Sequence, residues 1–270
     1  NNISTLKGSD FQPKERIEVL KAFQNQINDN VKSLAELATL EGGKPITDSI
    51  VEIKRGAEGV ESCIEVLKSE AGSVIPMNIN EASSNRIAFT QKEPLGVVLA
   101  ISAFNHPFNL IIHQIIPAIA SGCVVIVKPA EDTPLSCMKI IEMLFESGLP
   151  ENRCYFCMPE NLKLAEKLVS DERIDFFSFI GSAKIGWMLR SKLSPGTRCA
   201  LEHGGMAPTF LTESTNLDVA SKLLVKGGFY HAGQVCVSVQ RIFVHKNIFD
   251  EFLSIFEKNL KPLKVGNPLD

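Results

Sequence analysis

The sequence predicts an α/β protein built on a doubly wound, mostly parallel sheet, with a protruding hairpin and the beginning of a second α/β domain. Three observations carry this reading. Apolar runs stand at residues 96–101 and 124–127 and a largely apolar one at 174–180, and stretches of helical periodicity separate them. A turn rich in polar or small residues follows each run. Apolar strands alternating with helices indicate a parallel sheet covered on both faces, and ligands of such sheets bind at the carboxyl ends of the strands.

Taken in order, the chain opens with a helical layer. Ile17, Leu20, Phe23 and Ile27, then Val31, Leu34, Leu37 and Leu40, recur at helical spacing, which predicts two helices with Asp29 or Asn30 capping the second. Gly42, Gly43 and Pro45 stop one helix and restart the next, so residues 47–69 read as a third amphipathic helix. Val74, Ile75, Met77 and Ile79, then residues 86–90, read as two short strands of a hairpin at 74–91 that leaves the domain. Strand and helix then alternate: strand 96–101, helix 109–120, strand 124–127, helix 135–146, strand 155–158, helix 162–169, strand 174–180. Beyond Thr197 the texture changes to a strand ending at Leu201, a glycine loop, a strand at 209–211, a helix at 217–229, a strand at 241–245 and a helix at 248–260. The expected organisation is residues 1–73 and 92–200 as one domain, 74–91 as the hairpin and 201–270 as the start of a second domain, whose faces a further stretch of chain would cover.

Composition narrows the function classes. The 270 residues are 44% hydrophobic and 22% charged, enough for real cores. A net charge of −3 offers no sequence-wide positive field for nucleic acid or an anionic membrane surface. No apolar run reaches bilayer-spanning length, and residues 1–10 lack the basic-then-apolar order of a signal peptide, so the chain reads as cytoplasmic. Seven cysteines, an odd number without framework spacing, read as reduced thiols.

Several short segments carry chemistry. Phe179, Ile180, Gly181, Ser182 and Ile185 end a strand and open a helix, a place where glycine lets the backbone turn and free amides can receive a phosphate; the plain alternative is a turn capped by Ser182. Lys128, Pro129, Ala130 and Glu131 follow another strand. Their lysine and carboxylate fit ribose recognition, or simply a solvated lysine and a first-turn acid. Gly233, Gln234, Val235 and Cys236 place a thiol after a flexible segment, and a cysteine is a capable nucleophile because part of it is thiolate near neutral pH. The other six cysteines, Cys63, Cys123, Cys137 and Cys199 among them, read as inert packing thiols. Cys154 and Cys157 form a Cys-x-x-Cys pair, but no second pair completes a zinc site and strand alternation points them to opposite faces, so no metal is expected. Glu202 ends a strand before His203, Gly204 and Gly205, where a carboxylate has the freedom a general base needs together with partial burial. His203 could itself be the base, although a histidine packed beside the glycines is the better reading.

These segments, in this order, resemble the NAD(P)-dependent aldehyde dehydrogenase superfamily along the whole chain. Residues 102–107 are similar to its Pro-Trp-Asn-Phe-Pro segment, residues 128–131 to its Lys-Pro-Ala/Ser-Glu, residues 179–186 to its Phe-Thr-Gly-Ser stretch, residues 201–205 to its Glu-Leu-Gly-Gly and residues 233–236 to its Gly-Gln-x-Cys. The resemblance implies a Rossmann-like cofactor domain and an aldehyde oxidised to an acid, with Cys236 as nucleophile, Asn105 as oxyanion donor and Glu202 as base. It implies cofactor contacts from Ile101, Ser102 and Phe104, and from Lys128, Pro129, Ala130 and Glu131. Gly181, Ser182, Ile185, His203 and Gly204 complete that set. Glu131 would repel a 2′-phosphate, which favours NAD over NADP. The resemblance further implies a small-molecule aldehyde as substrate and a homodimer or homotetramer assembled through the hairpin. It places beyond residue 270 the acidic residue for the nicotinamide ribose and the strand that completes the oligomer. Departures from the family pattern are Phe104 for Trp, His203 for Leu, Met206 for Lys, Gln114 for a Lys, and His106 for an aromatic, the last pointing to a polar substrate. A CoA-acylating relative and a catalytically silent nucleotide binder are the competing readings.

Overall fold

The computed structural model describes residues 11–270; the reading of residues 1–10 lies outside that range. Helix α1 (Pro13–Asp29) begins with Pro at its first position and a reciprocal cap between Gln12 and Glu15, and its buried side, Val19, Leu20, Phe23 and Ile27, has the predicted spacing. Helix α2 (Val31–Gly42) ends on Gly43 with φ 70°, and α3 (Ile46–Ser69) starts behind Pro45. Asn30 stands at the predicted cap position of α2 but does not cap it. Its amide instead donates to the Gln26 carbonyl at 2.8 Å, closing the last turn of α1.

The central sheet contains β3 (Val97–Ile101), β4 (Val124–Lys128), β5 (Cys154–Phe156), β6 (Phe176–Gly181) and β7 (Arg198–His203), all parallel, in the order β5-β4-β3-β6-β7. Alternation sorts its side chains into two cores. Val98, Ala100, Val125 and Val127 face α1, α3, α4 (Asn109–Ala120) and α5 (Leu135–Glu146), whereas Val97, Leu99, Ile101, Val124 and Ile126 pack with Phe177, Phe179 and Leu189 on the other side. Phe23, Ile27, Ile53 and Ile64 are fully buried in the first core, each contributing about 1.5–3 kcal/mol of transfer free energy. Strand β5 starts and stops earlier than the 155–158 predicted from sequence. Cys157 N–H still reaches the Val127 carbonyl at 2.9 Å, but Pro159, which has no N–H, ends the ladder. Cys154 lies in the first core and Cys157 against the second, on opposite faces as alternation requires.

Helix α6 (Leu162–Val169) and α7 (Ala183–Arg190) cover the second face. The hairpin is a short antiparallel pair, β1 (Val74–Ile75) with β2 (Ala88–Phe89), and carries exposed Val74, Ile79, Ile87 and Phe89. After β7, a small parallel pair, β8 (Thr209–Leu211) and β9 (Ile242–Val244), packs with α8 (Leu217–Phe229) and α9 (Phe249–Leu260) around Leu211, Leu217, Leu224 and Phe252. The strand order reverses between β3 and β6, so a crevice opens above the carboxyl ends of these neighbours.

Candidate active site

A cleft of about 320 Å³ lies at that reversal, and Asn105, Glu202 and Cys236 all line it. Each arrives for a local reason. Asn105 sits on the loop after β3, whose strand end is tied to β4 by the Ser102 N–H to Lys128 carbonyl bond of 3.0 Å. Along β7, Cys199, Leu201 and His203 turn toward the second core, so alternation turns Glu202 the other way. Glu202 is therefore exposed rather than partly buried as the sequence reading expected. Cys236 follows a segment in which His231, Ala232 and Gly233 take φ values of 52°, 52° and 79°, consecutive left-handed residues that swing the chain sharply away from the end of α8. Such a conformation is costly outside glycine and is found where surrounding contacts over-determine it.

Among the seven free cysteines, Cys236 is the exposed one. Burial pushes the Cys63 and Cys137 thiols up and takes Cys154 to about 12, leaving them protonated and unreactive.

Hydrogen bonds join the loops that line the cleft. The Asn105 side-chain amide donates to the Gln234 carbonyl at 3.1 Å, and Gly205 N–H donates to the Cys236 carbonyl at 3.1 Å. The Asn105 loop, the glycine loop after Glu202 and the Cys236 segment are thus one hydrogen-bonded unit.

Behind Asn105 lies a polar cluster that the sequence did not reveal. Lys44 and Glu52 form an ion pair with both side chains fully buried. The second Glu52 oxygen accepts the N–H groups of Phe108 and Asn109, at 2.9 and 2.8 Å, at the start of α4. His106 stands 3.8 Å from Glu52, its ring centroid 4.7 Å from that of His231, while Asp48 accepts the His231 N–H at 3.0 Å. Burial, reinforced by the charge of Lys44, lowers both histidines to about 4, so both are neutral at physiological pH. Burial also lowers Lys44, to about 7, against the pull of Asp48. His106 is mostly buried in this cluster, with 13% of its side chain exposed, and it also lines the cleft.

The residues around the crevice fit a dinucleotide. Ser102 Oγ is buried at the end of β3 with no hydrogen-bond partner among the described residues, and a side chain at Gly204 would meet nothing within 4 Å. Lys128 Nζ donates to the Pro129 carbonyl at 3.2 Å and lies 3.7 Å from Glu131, whose side chain is open to solvent. Ser182 caps α7 by accepting the Ile185 N–H at 3.4 Å, the plain capped turn that the sequence offered as the alternative. At Gly181 a Cβ would come within 2.6 Å of the Phe179 ring, so packing alone requires that glycine. His203 lies against Gly186, edge-on to Phe179 and Trp187, as a packed histidine.

The aldehyde dehydrogenase family model matches residues 6–270. The chain belongs to the aldehyde dehydrogenase family. It is 37% identical over 260 residues to a 3-sulfolactaldehyde dehydrogenase of Priestia aryabhattai, covering 96% of this chain and 54% of that relative. Among solved structures, it superposes on a glyceraldehyde-3-phosphate dehydrogenase of Methanocaldococcus jannaschii complexed with NADP, with TM-score 0.91 and 32% identity, covering 100% of this chain and 58% of that one. Aldehyde dehydrogenase 21 of Physcomitrella patens, solved with the reaction product succinate, gives TM-score 0.91 and 31% identity over 100% and 56% of the two chains. The chain spans a little over half the length of these aldehyde dehydrogenases.

The family's doubly wound architecture is the one expected from sequence. Asn105, Glu202, Cys236, His203 and Gly204 meet in the cleft, with Gly181 and Ser182 on its wall, whereas Lys128 and Glu131 stand outside its lining, farther along the sheet at the end of β4. A larger cavity of about 590 Å³, walled by Arg16, Cys63, Pro94 and Pro117, opens toward the amino-terminal ends of the strands. Its thiol, Cys63, is one that burial pushes up. No group of three or more His, Cys, Asp or Glu among the described residues is placed to hold a metal ion, and no helix among them is long and apolar enough to cross a membrane.

Proposed function

We propose that the protein carrying this chain oxidises a small-molecule aldehyde to its carboxylic acid with NAD(P)+. The observation that supports this best is the exposed Cys236 thiol sharing one cleft with Asn105 and Glu202. Cys236 adds as thiolate to the carbonyl carbon, and the oxyanion so formed is held by the Asn105 side-chain amide and the Cys236 backbone N–H. A nicotinamide bound over the crevice supplies the hydride acceptor. The carbon is left as a Cys236 thioester. Glu202 takes a proton from water, the hydroxide oxygen enters the acyl carbon, and the acid departs as the thiol re-forms. In sum, aldehyde, oxidised cofactor and water give acid, reduced cofactor and a proton.

Ile101, Ser102, Phe104, Lys128 to Glu131, Gly181, Ser182, Ile185, His203 and Gly204 are assigned to the cofactor. Glu131, set to accept from a ribose 2′-hydroxyl and to repel a 2′-phosphate, supports NAD as the preferred form, although solved relatives include NADP complexes. Residues 1–73 with 92–200 form the cofactor domain and residues from 201 onward belong to the catalytic domain. The exposed apolar side chains of the hairpin support a homodimer or homotetramer formed through residues 74–91, and the unpaired thiols support a cytoplasmic location.

The test is NADH formation with a panel of short aliphatic, hydroxy-, phospho- and semialdehydes, with and without CoA. Cys236→Ser should abolish turnover, and Asn105→Ala should lower kcat by about 10²–10³. Turnover surviving in Cys236→Ser overturns the mechanism, and an acyl-CoA product overturns hydrolysis by Glu202.

A further inference from the structure

Three hydrogen bonds close a circuit around the left-handed turn before Cys236. The neutral His231 ring meets the Asn105 carbonyl through Nε2, the Asn105 side-chain amide donates to the Gln234 carbonyl, and Gln234 N–H donates back to the His231 carbonyl at 3.0 Å. We propose that His231 is a positioning residue, whose ring holds Asn105 at a fixed place relative to the Cys236 segment.

The tautomer follows from the surroundings. Nδ1 is buried with no hydrogen-bond partner, so the ring's single proton sits on Nε2 and is donated to the Asn105 carbonyl. The charged and titratable groups that act on the ring are Lys44, His106 and Asp48, and burial with the Lys44 charge keeps it neutral. The backbone of His231 is anchored separately, by Asp48 on α3, and the residue is 3% exposed. The ring is therefore braced from the helical layer and bears on the loop carrying the oxyanion donor, without reaching the cleft itself, whose lining does not include it. His231 itself is left-handed, at φ 52°, a conformation held only where surrounding contacts over-determine it.

The proposal rests on the reading of Asn105 as oxyanion donor, and its test separates the two. In the protein that carries this chain, kcat and KM for an oxidised aldehyde are compared with the rate at which iodoacetamide alkylates Cys236. Losing the donor outright costs about 10²–10³ in rate, so loosening it through His231→Ala should lower kcat by about 10-fold. KM and alkylation should change by less than about threefold, because the thiol and the cofactor crevice are left in place. His231→Gln, which keeps an N–H donor at similar reach, should recover most of the loss. If the alanine variant does not fold, His231→Asn, which favours a left-handed backbone but is short of the Asn105 carbonyl, is read in its place with the same expected loss. A kcat unchanged in these variants, or a loss shared equally by alkylation, overturns the proposal while leaving the function standing. A wild-type protein that oxidises no aldehyde overturns the function and the proposal with it.

Discussion

Gln114 on α4 holds Ser178 on β6: its amide nitrogen lies 3.1 Å from the Ser178 carbonyl and 3.0 Å from Ser178 Oγ, and it also reaches the Ile101 carbonyl at 3.1 Å. The side chain thus staples the two strands flanking the crevice at the level where the chain leaves for Asn105. In Gln114→Ala the buried carbonyls lose their extra donor, at a cost of about 1–3 kcal/mol. Denaturant unfolding measures this, and an unchanged midpoint would mean that the staple contributes nothing.

Glu52 does two tasks at once, pairing with buried Lys44 and receiving two N–H groups at the start of α4. Glu52→Leu removes both and strands the ammonium, and breaking one side of such a pair costs about 3–5 kcal/mol. Lys44→Met combined with Glu52→Leu should be less damaging than the two single changes added together. Strict additivity in a double-mutant cycle would show that the two groups do not interact.

The histidines make the fold acid-sensitive. Both His106 and His231 have folded pKa values near 4, below the ordinary 6.5, so between these values the unfolded chain binds protons that the folded one refuses. Their contribution is complete above pH 6.5 and is lost as pH falls toward 4. The thermal midpoint should drop across that window, and more shallowly in His106→Gln. Identical slopes for the two proteins would remove His106 from the account.

Gly186 is fixed by its neighbour, for a Cβ there would run into His203 Nε2. Gly186→Ala should destabilise by about 1–3 kcal/mol and disturb the strand end that carries Glu202. Adding His203→Ala, which vacates the space, should restore much of the loss. If the double variant is no better than the single one, the clash lies elsewhere.

The sheet was readable because Val97 to Ile101 and Val124 to Val127 are apolar on both faces, and helical periodicity marked α1 through α5. Asn105, Glu202 and Cys236 were readable because each stands in a short motif at the end of an element. The Lys44, Glu52 and His106 cluster was not, since a charge within a charged helix reads as solvated and burial is decided by residues distant in sequence. Asn30 misled for a related reason: an asparagine between two helices can close the first or open the second, and only three-dimensional reach chooses. Glu202 was located but its exposure was not, because the strand beside it determines which face is covered.

The sheet's central strand is also its earliest. From β3 the ribbon widens first to one side, through β4 and β5, then to the other, through β6 and β7. A polypeptide emerging from the ribosome can therefore begin its floor before the segment around residue 236 has emerged, in keeping with the tendency of folding to proceed from the amino terminus. The Cys236 thiol follows that floor in the order of synthesis, and joins a surface whose strands precede it.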